Sequence, residues 1–378
     1  MKKSLIALAA LAAVSAASAQ STATISGSIA FSFQKDLTGV TPESSSGADA
    51  NAGVASNAVA KGLTVNDATV TVGLSEDLGG GLKAAGSISM EGGFHRGSAM
   101  TLADRSLSVS GGFGALTVRN TRSSDQMASI MSPGVAVPDD IYTSSRILAR
   151  SAVDTISFTT PALAPGLTTT ISYTEANDGN QSVPTTNGSQ ASLTAGYTNG
   201  PIGIGASYKM KPQNATATAA TFTTTATTAN TWGLLPKATM ELSVTYDLGV
   251  AKLGYAYDGA ERGGAATAVD TSTLGTTALE TSAYASREAQ VALTKAANAF
   301  TVTVPMGAVT FGLNYAKRGS FTTTQVGAKY DFSKRTSFSA GYGTKVAKNA
   351  DSTVQTALRD STSGVHGSQY RLRLNHTF

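Results

Sequence analysis

Tyr370-Arg371-Leu372-Arg373-Leu374-Asn375-His376-Thr377-Phe378 ends the chain. In an extended backbone successive side chains leave on opposite faces, so Tyr370, Leu372, Leu374, His376 and Phe378 share one side and Arg371, Arg373, Asn375 and Thr377 the other. The first set is mostly apolar; the second is polar and carries two arginines. A strand of this kind, running to the last residue with charge on one face, fits a barrel wall that separates lipid from water better than a soluble sandwich.

The same period of two returns upstream. Met240, Leu242, Val244 and Tyr246 alternate with Glu241, Ser243, Thr245 and Asp247, and Leu253, Tyr255 and Tyr257 with Lys252, Gly254, Ala256 and Asp258. Further single-faced strands run through Ile25–Phe33, Ile202–Lys209 and Val309–Tyr315. Tyr and Phe gather at strand ends, as in interfacial girdles.

The connections alternate in length. Turn chemistry marks Asp77-Leu78-Gly79-Gly80, Gly112-Phe113-Gly114, Pro161 to Gly166, Asn199-Gly200-Pro201, Asp247-Leu248-Gly249, Pro305-Met306-Gly307 and Asp331 to Lys334. Long segments rich in Ser, Thr, Asn, Ala and Gly cover roughly 35 to 61, 122 to 148, 178 to 188, 212 to 235, 260 to 285 and 348 to 368. Seven short turns join fourteen strands in pairs, and a first and a last strand make sixteen, an even number as single-chain bacterial barrels require. The expected fold is all-β, a transmembrane antiparallel barrel.

At the other end, Met1-Lys2-Lys3 precedes the apolar run Leu5 to Val14, and Ala17-Ser18-Ala19 supplies a small-x-small cleavage site. Residues 1–19 are therefore expected to be a signal peptide and 20–378 one barrel domain. No apolar run long enough for a transmembrane helix follows. Mean hydropathy near zero suits a wall whose faces cancel. The chain lacks cysteine, so stability rests on strand pairing and burial. Its formal charge of +4 is too small a surplus to argue for nucleic acid.

Three passages resemble one family, the trimeric general porins of Gram-negative bacteria, especially those of betaproteobacteria. Ser75-Glu76-Asp77-Leu78-Gly79-Gly80-Gly81-Leu82-Lys83-Ala84 is similar to that family's second-to-third strand turn. Leu107 to Arg119, through Ser110-Gly111-Gly112-Phe113-Gly114, is similar to its fourth-to-fifth. The end, Leu374-Asn375-His376-Thr377-Phe378, resembles the signal read by the barrel assembly machinery, with Phe378 as its final aromatic. The resemblance implies sixteen strands, a homotrimer in outer-membrane lipid, and a third loop folded into the pore. That loop corresponds to Thr121 to Ala149, whose Asp125, Asp139 and Asp140 are its candidate acids. Two features depart from the family. Met131-Ser132-Pro133-Gly134 lacks the glutamate and phenylalanine of the usual loop element, and Thr69 stands where an arginine is common.

Parity assigns the lumen independently, since residues out of phase with the apolar set face water. Arg119, Arg371 and Arg373 are the leading wall candidates, with Lys83 beside them. Inward basic residues also include Lys209, Lys252 and Lys329, against inward acids Glu91, Glu241, Asp247, Asp258 and Asp331. Arg105, Arg146 and Arg150 are secondary candidates. Arg105 shares the parity of Leu107 and Val109, and Arg150 that of Ile156 and Phe158, so a bulge, a rim or a subunit contact must account for them as charges.

The expected function is passive diffusion of small hydrophilic solutes and ions through a water-filled pore, with a modest anion preference. A channel specific for a dicarboxylate or a sugar is the alternative, and a surface adhesin ranks below both. Catalysis is not expected. The three histidines are His95, His366 and the outward His376, no Gly-x-Ser-x-Gly or His-Glu-x-x-His motif occurs, and Gly203-x-Gly205 reads as small residues in a strand. No cofactor or metal is called for.

Overall fold

The computed structural model describes residues 21–38, 61–92, 99–122, 126–132, 152–175, 190–210, 238–260, 295–319, 321–347 and 367–378. The expected signal peptide, Arg146, Arg150, Asp125, Asp139 and Asp140 lie outside them.

The strands are β1 (Thr22–Thr38), β2 (Lys61–Gly79), β3 (Leu82–Gly92), β4 (Met100–Gly111), β5 (Gly114–Arg122), β6 (Ala152–Thr159), β7 (Leu167–Thr174) and β8 (Gln190–Asn199). They continue as β9 (Ile202–Met210), β10 (Ala238–Asp247), β11 (Lys252–Ala260), β12 (Ala297–Met306), β13 (Val309–Arg318), β14 (Phe321–Asp331), β15 (Thr336–Ala347) and β16 (Gly367–Thr377). One helical turn, α1 (Gln126–Ser129), follows β5. All sixteen strands form one closed barrel in sequence order, and β1 meets β16 in antiparallel register from Ser28↔Thr377 to Thr38↔Ser368. Closure leaves no free sheet edge, which is what a strand protein needs in hydrocarbon.

Turn chemistry sets the short connections. In both Asp77-Leu78-Gly79 and Asp247-Leu248-Gly249 the glycine N–H donates to the aspartate Oδ1, at 2.9 and 2.7 Å. Both glycines hold φ near +79°, a conformation that disfavours any Cβ. The alternation of connection length is incomplete. β13 and β14 are joined through Gly319 and Ser320 alone, on the side where long loops were expected, and β3 reaches β4 across residues 93 to 98 and Ala99.

Alternation sorts the side chains as the periodicity predicts. Leu116, Val118, Ile156, Ile171, Phe311 and Leu374 are exposed on the outer face, while Ser157, Ser243, Thr301, Asn314 and Thr323 are buried on the inner one. That inversion of a soluble core gives a polar interior and an apolar belt, which lipid covers.

The register shifts at four places among the described strands, at Asp36/Thr38 and Ala30/Phe31 of β1, Asp77/Gly79 of β2 and Ile88/Met90 of β3, and two of these bear on the wall assignments. Ala30 pairs with Asp67 but Phe31 with Val65, so Asn66 is extra in β2. Ile88 pairs with Arg105 but Met90 with Leu102, so Ala103 and Asp104 together oppose Ser89.

The barrel seam ends on Gly27 and Phe378. Each backbone N–H donates to the other's carbonyl, at 3.1 and 3.0 Å, and the Phe378 ring occupies the space a side chain at residue 27 would need.

Candidate functional site: the inner wall

Among the predicted basic residues, Arg119 stands on the inner face of β5 with Ser106 and Thr155 as its register partners. Arg371 and Arg373 stand on the inner face of β16; Arg371 is 4% exposed, whereas the Arg373 side chain is 26% exposed. Lys83 lies across from Asp77 and Ser110 near the short-turn end.

Arg105 does not line the interior. Its bulge lies above it in β4, toward the strand's start, and therefore does not reset its phase relative to Leu107 and Val109. It projects from the outer face and donates through Nη2 to Asn120 Oδ1 at 3.2 Å; Asn120 in turn donates to Asp154 Oδ1 at 2.6 Å.

Several interior charges are neutralised in pairs. Lys209 is bound to Glu241, whose other oxygen accepts from Ser207 Oγ at 2.9 Å. Arg318 is bound to Asp258 and donates to the Lys295 carbonyl at 3.0 Å. Arg373 reaches Asp67 Oδ2 at 3.1 Å, and that carboxylate also accepts from Ser28 and Thr69, each at 2.9 Å. Lys329 and Asp331 pair at 3.1 Å in a wetter position.

Arg318 and Asp258 have side chains 3% and 9% exposed. Arg318→Met is therefore expected to lower barrel stability by about 3 kcal/mol by stranding the carboxylate, read as a lower denaturant midpoint for unfolding in detergent. A midpoint equal to wild type would show the pair to be energetically idle.

The segment after β5 lies against the opposite inner wall. Gln126 N donates to Glu241 Oε2 at 3.3 Å, and Ser243 Oγ donates to Gln126 Oε1 at 2.7 Å. Thr301 Oγ1 donates to the Ile130 carbonyl at 2.8 Å, Ser132 N donates to Asn314 Oδ1 at 3.0 Å, and Ser132 Oγ shares a hydrogen bond with Thr303 Oγ1 at 2.6 Å. These partners sit on β10, β12 and β13, as far as eight strands from β5 in a barrel of sixteen, so the segment crosses the interior. Met127 and Ile130, both of this segment, are buried.

Glycines shape the seat. A Cβ on Gly205 would come within 2.2 Å of Gln126 Oε1, and one on Gly254 within 3.1 Å of Ile130 Cβ.

The sequence reading did not single out Asp67, which parity counted from Val70 and Val72 places inside, whereas counted from Val65, across the bulge at Asn66, it falls outside. Arg318 was within reach of the same rule, two residues beyond Ala316 on the inner face. Among the described residues no three His, Cys, Asp or Glu side chains converge as metal ligands would.

Comparison with known proteins agrees with this geometry. A family model described as Gram-negative porin matches residues 7–350. No curated protein matches the sequence. Among solved structures, an anion-selective porin from Comamonas acidovorans is 17% identical with a TM-score of 0.57, covering 95% of this chain and 100% of that one. A triple mutant of the Rhodopseudomonas blastica porin is 11% identical with a TM-score of 0.54, covering 94% and 100%.

Proposed function

The chain belongs to the Gram-negative porin family, and on that premise we propose that it conducts small hydrophilic solutes and ions by passive diffusion, with a modest preference for anions. It is an outer-membrane β-barrel channel protein of a Gram-negative bacterium, from a family of channels rather than enzymes. In the proposed form residues 1–19 are removed on export, the barrel assembly machinery takes up the C-terminal strand through Phe378, and the mature chain works as a homotrimer.

The observation that carries the proposal is the polar inner wall against which residues 126–132 are pinned by hydrogen bonds. In this reading the hydroxyl-lined inner wall borders water and suits many small polar solutes rather than one.

The preference for anions follows from which charges remain near the passage. Lys209, Arg318 and Arg373 are paired with acids, whereas Arg119 has Ser106 and Thr155 as its cross-strand neighbours. Arg119 is therefore the part of the predicted basic wall on which this selectivity rests. The name of the Comamonas porin carries the same preference.

A unit charge about 8 Å from a passing ion in water is worth about 0.5 kcal/mol, a factor of about two in local ion concentration. Arg119→Ala is accordingly expected to halve the anion-to-cation permeability ratio, read from reversal potentials across planar bilayers in a salt gradient. Clear cation preference in the wild-type channel would overturn the selectivity. Conductance that stays linear with competing solutes supports general diffusion, while block by a dicarboxylate or a sugar at low concentration would make it a specific channel.

A further inference from the structure

The outer face of β11, β12 and β13 changes character in three steps toward the long-loop end. Leu253, Val302 and Leu313 lie side by side in register, then Tyr255, Phe300 and Tyr315, then Tyr257, Asn298 and Lys317. The first row is aliphatic and the second aromatic; the third is polar and ends on an ammonium. Among the described strand residues that parity puts on the outer face of β11 to β15, Lys317 is the one with a charge, and it is exposed.

Lys317 stands eight residues above Val309, where β13 leaves its short turn. At about 3.4 Å per residue and a tilt of about 40°, that is roughly 20 Å of height, near the full depth of an apolar band about 25 Å tall. A charge at the upper margin of the band costs little, whereas one at its middle costs much.

The polar tips lean the same way. Tyr255 Oη donates to Asn298 Oδ1, one step nearer the long loops, at 2.7 Å. The Tyr257 ring lies along β11 over Gly259, where an added Cβ would come within 2.7 Å of Cε1 and 2.9 Å of the hydroxyl. Tyrosines at a membrane boundary keep the ring in the apolar layer and the hydroxyl in the wet one, so water lies on the long-loop side of this row. The bond from Tyr255 also occupies the Asn298 amide oxygen and leaves the Nδ2 hydrogens to donate beside Lys317. β13 turns into β14 through Gly319 and Ser320 alone, so its own connection adds no long loop above the site.

We infer that this corner of the wall binds a lipopolysaccharide molecule, one phosphate of its lipid A headgroup held by the Lys317 ammonium and the Asn298 amide, and its acyl chains laid against the aromatic and aliphatic rows. An ammonium, amide hydrogens and tyrosine hydroxyls above an apolar sheet match a phosphate carried on acyl chains, and no described acid on this face opposes it. The long loops mark the outward side, and in an outer membrane that leaflet is built of lipopolysaccharide.

The full chain, refolded into detergent without lipid, is titrated with bisphosphorylated lipid A, and bound lipid is counted by native mass spectrometry. Heat-modifiable gel mobility reports that each variant is folded. Wild type is expected to take up one lipid A per barrel before any other. Lys317→Gln is expected to weaken that binding about tenfold, the worth of one hydrogen bond to a charged group, and Lys317→Arg to retain it. Tyr255→Phe releases the Asn298 oxygen and is expected to weaken binding about threefold. Lys334→Gln, in the turn between β14 and β15 at the opposite rim, is expected to match wild type.

Equal binding by Lys317→Gln and wild type would overturn the site, as would equal binding of lipid A stripped of its phosphates. Phosphatidylglycerol held as tightly as lipid A would overturn the assignment to lipopolysaccharide. Oligomers lost from Lys317→Gln while lipid A binding stays at the wild-type level would make this corner a protein contact instead.

Discussion

A Gly27→Leu chain is expected to yield folded barrels at a small fraction of the wild-type level. The position closes the cylinder: β1 and β16 are joined there by reciprocal backbone hydrogen bonds between Gly27 and Phe378 at 3.1 and 3.0 Å. A Cβ on residue 27 would lie 2.3 Å from the Thr69 carbonyl oxygen of β2 and 2.6 Å from the Phe378 ring. The first contact is with backbone, which cannot swing aside, so β1 must shift against both neighbours at once. Each seam hydrogen bond lost costs between about 1 kcal/mol where water replaces it and about 5 kcal/mol in hydrocarbon. Refolding into detergent, followed by the difference in gel mobility before and after heating, measures the outcome. Gly112→Ala is the control, because a Cβ there meets nothing within 4 Å. Wild-type yield from Gly27→Leu would show that the seam tolerates a side chain. Phe378→Ala keeps the backbone rung and is expected to refold well in detergent, so a defect confined to living cells would point to the ring as the signal for assembly.

The barrel was legible because its two solvents write opposite rules on alternate residues. Leu372 and Leu374 against Arg371 and Arg373, continued through Met240 to Tyr246, gave the period, and the Asp-Leu-Gly turns gave the pairing of strands. Parity fails where the backbone slips. The bulge at Asn66 puts Val65 and Asp67 on opposite faces, and Asp67 meets Arg373, a residue more than three hundred positions away in sequence. Arg105 is the converse case: it was a secondary candidate for the inner wall although parity put it outside, and the register keeps it outside. The connection through Gly319 and Ser320 escaped notice because two residues between alternating strands leave no compositional mark. Gly205 and Gly254 read as small residues filling a strand, yet they are the floor on which Gln126 and Ile130 rest. Nothing local distinguishes a glycine that needs room for its own backbone from one that makes room for a distant upstream segment.

That floor sets the second large effect. Glu241→Ala combined with Asn314→Leu is expected to release residues 126–132 from the wall and to give channels of higher steady conductance in single-channel recordings. Five hydrogen bonds hold the segment, those of Gln126 N, Ser243, Thr301 and both Ser132 groups. At about 1 kcal/mol each they favour attachment by roughly 5 kcal/mol, before the cost of ordering the segment is deducted. Loss of the carboxylate contact alone removes about 2 kcal/mol, which raises the detached population some thirtyfold but leaves it a minority. The single variant Glu241→Ala should therefore flicker between two conductance levels, and the double variant should rest at the upper one. The charge consequence has a definite sign: without Glu241, Lys209 loses its bound carboxylate, so positive charge is added to the passage and the anion-to-cation permeability ratio rises. Glu241→Gln separates the two effects, because it still accepts from Gln126 N while giving up the negative charge; it is expected to shift selectivity without flicker. Wild-type conductance and selectivity in the double variant would mean that the segment stands clear of the ion path.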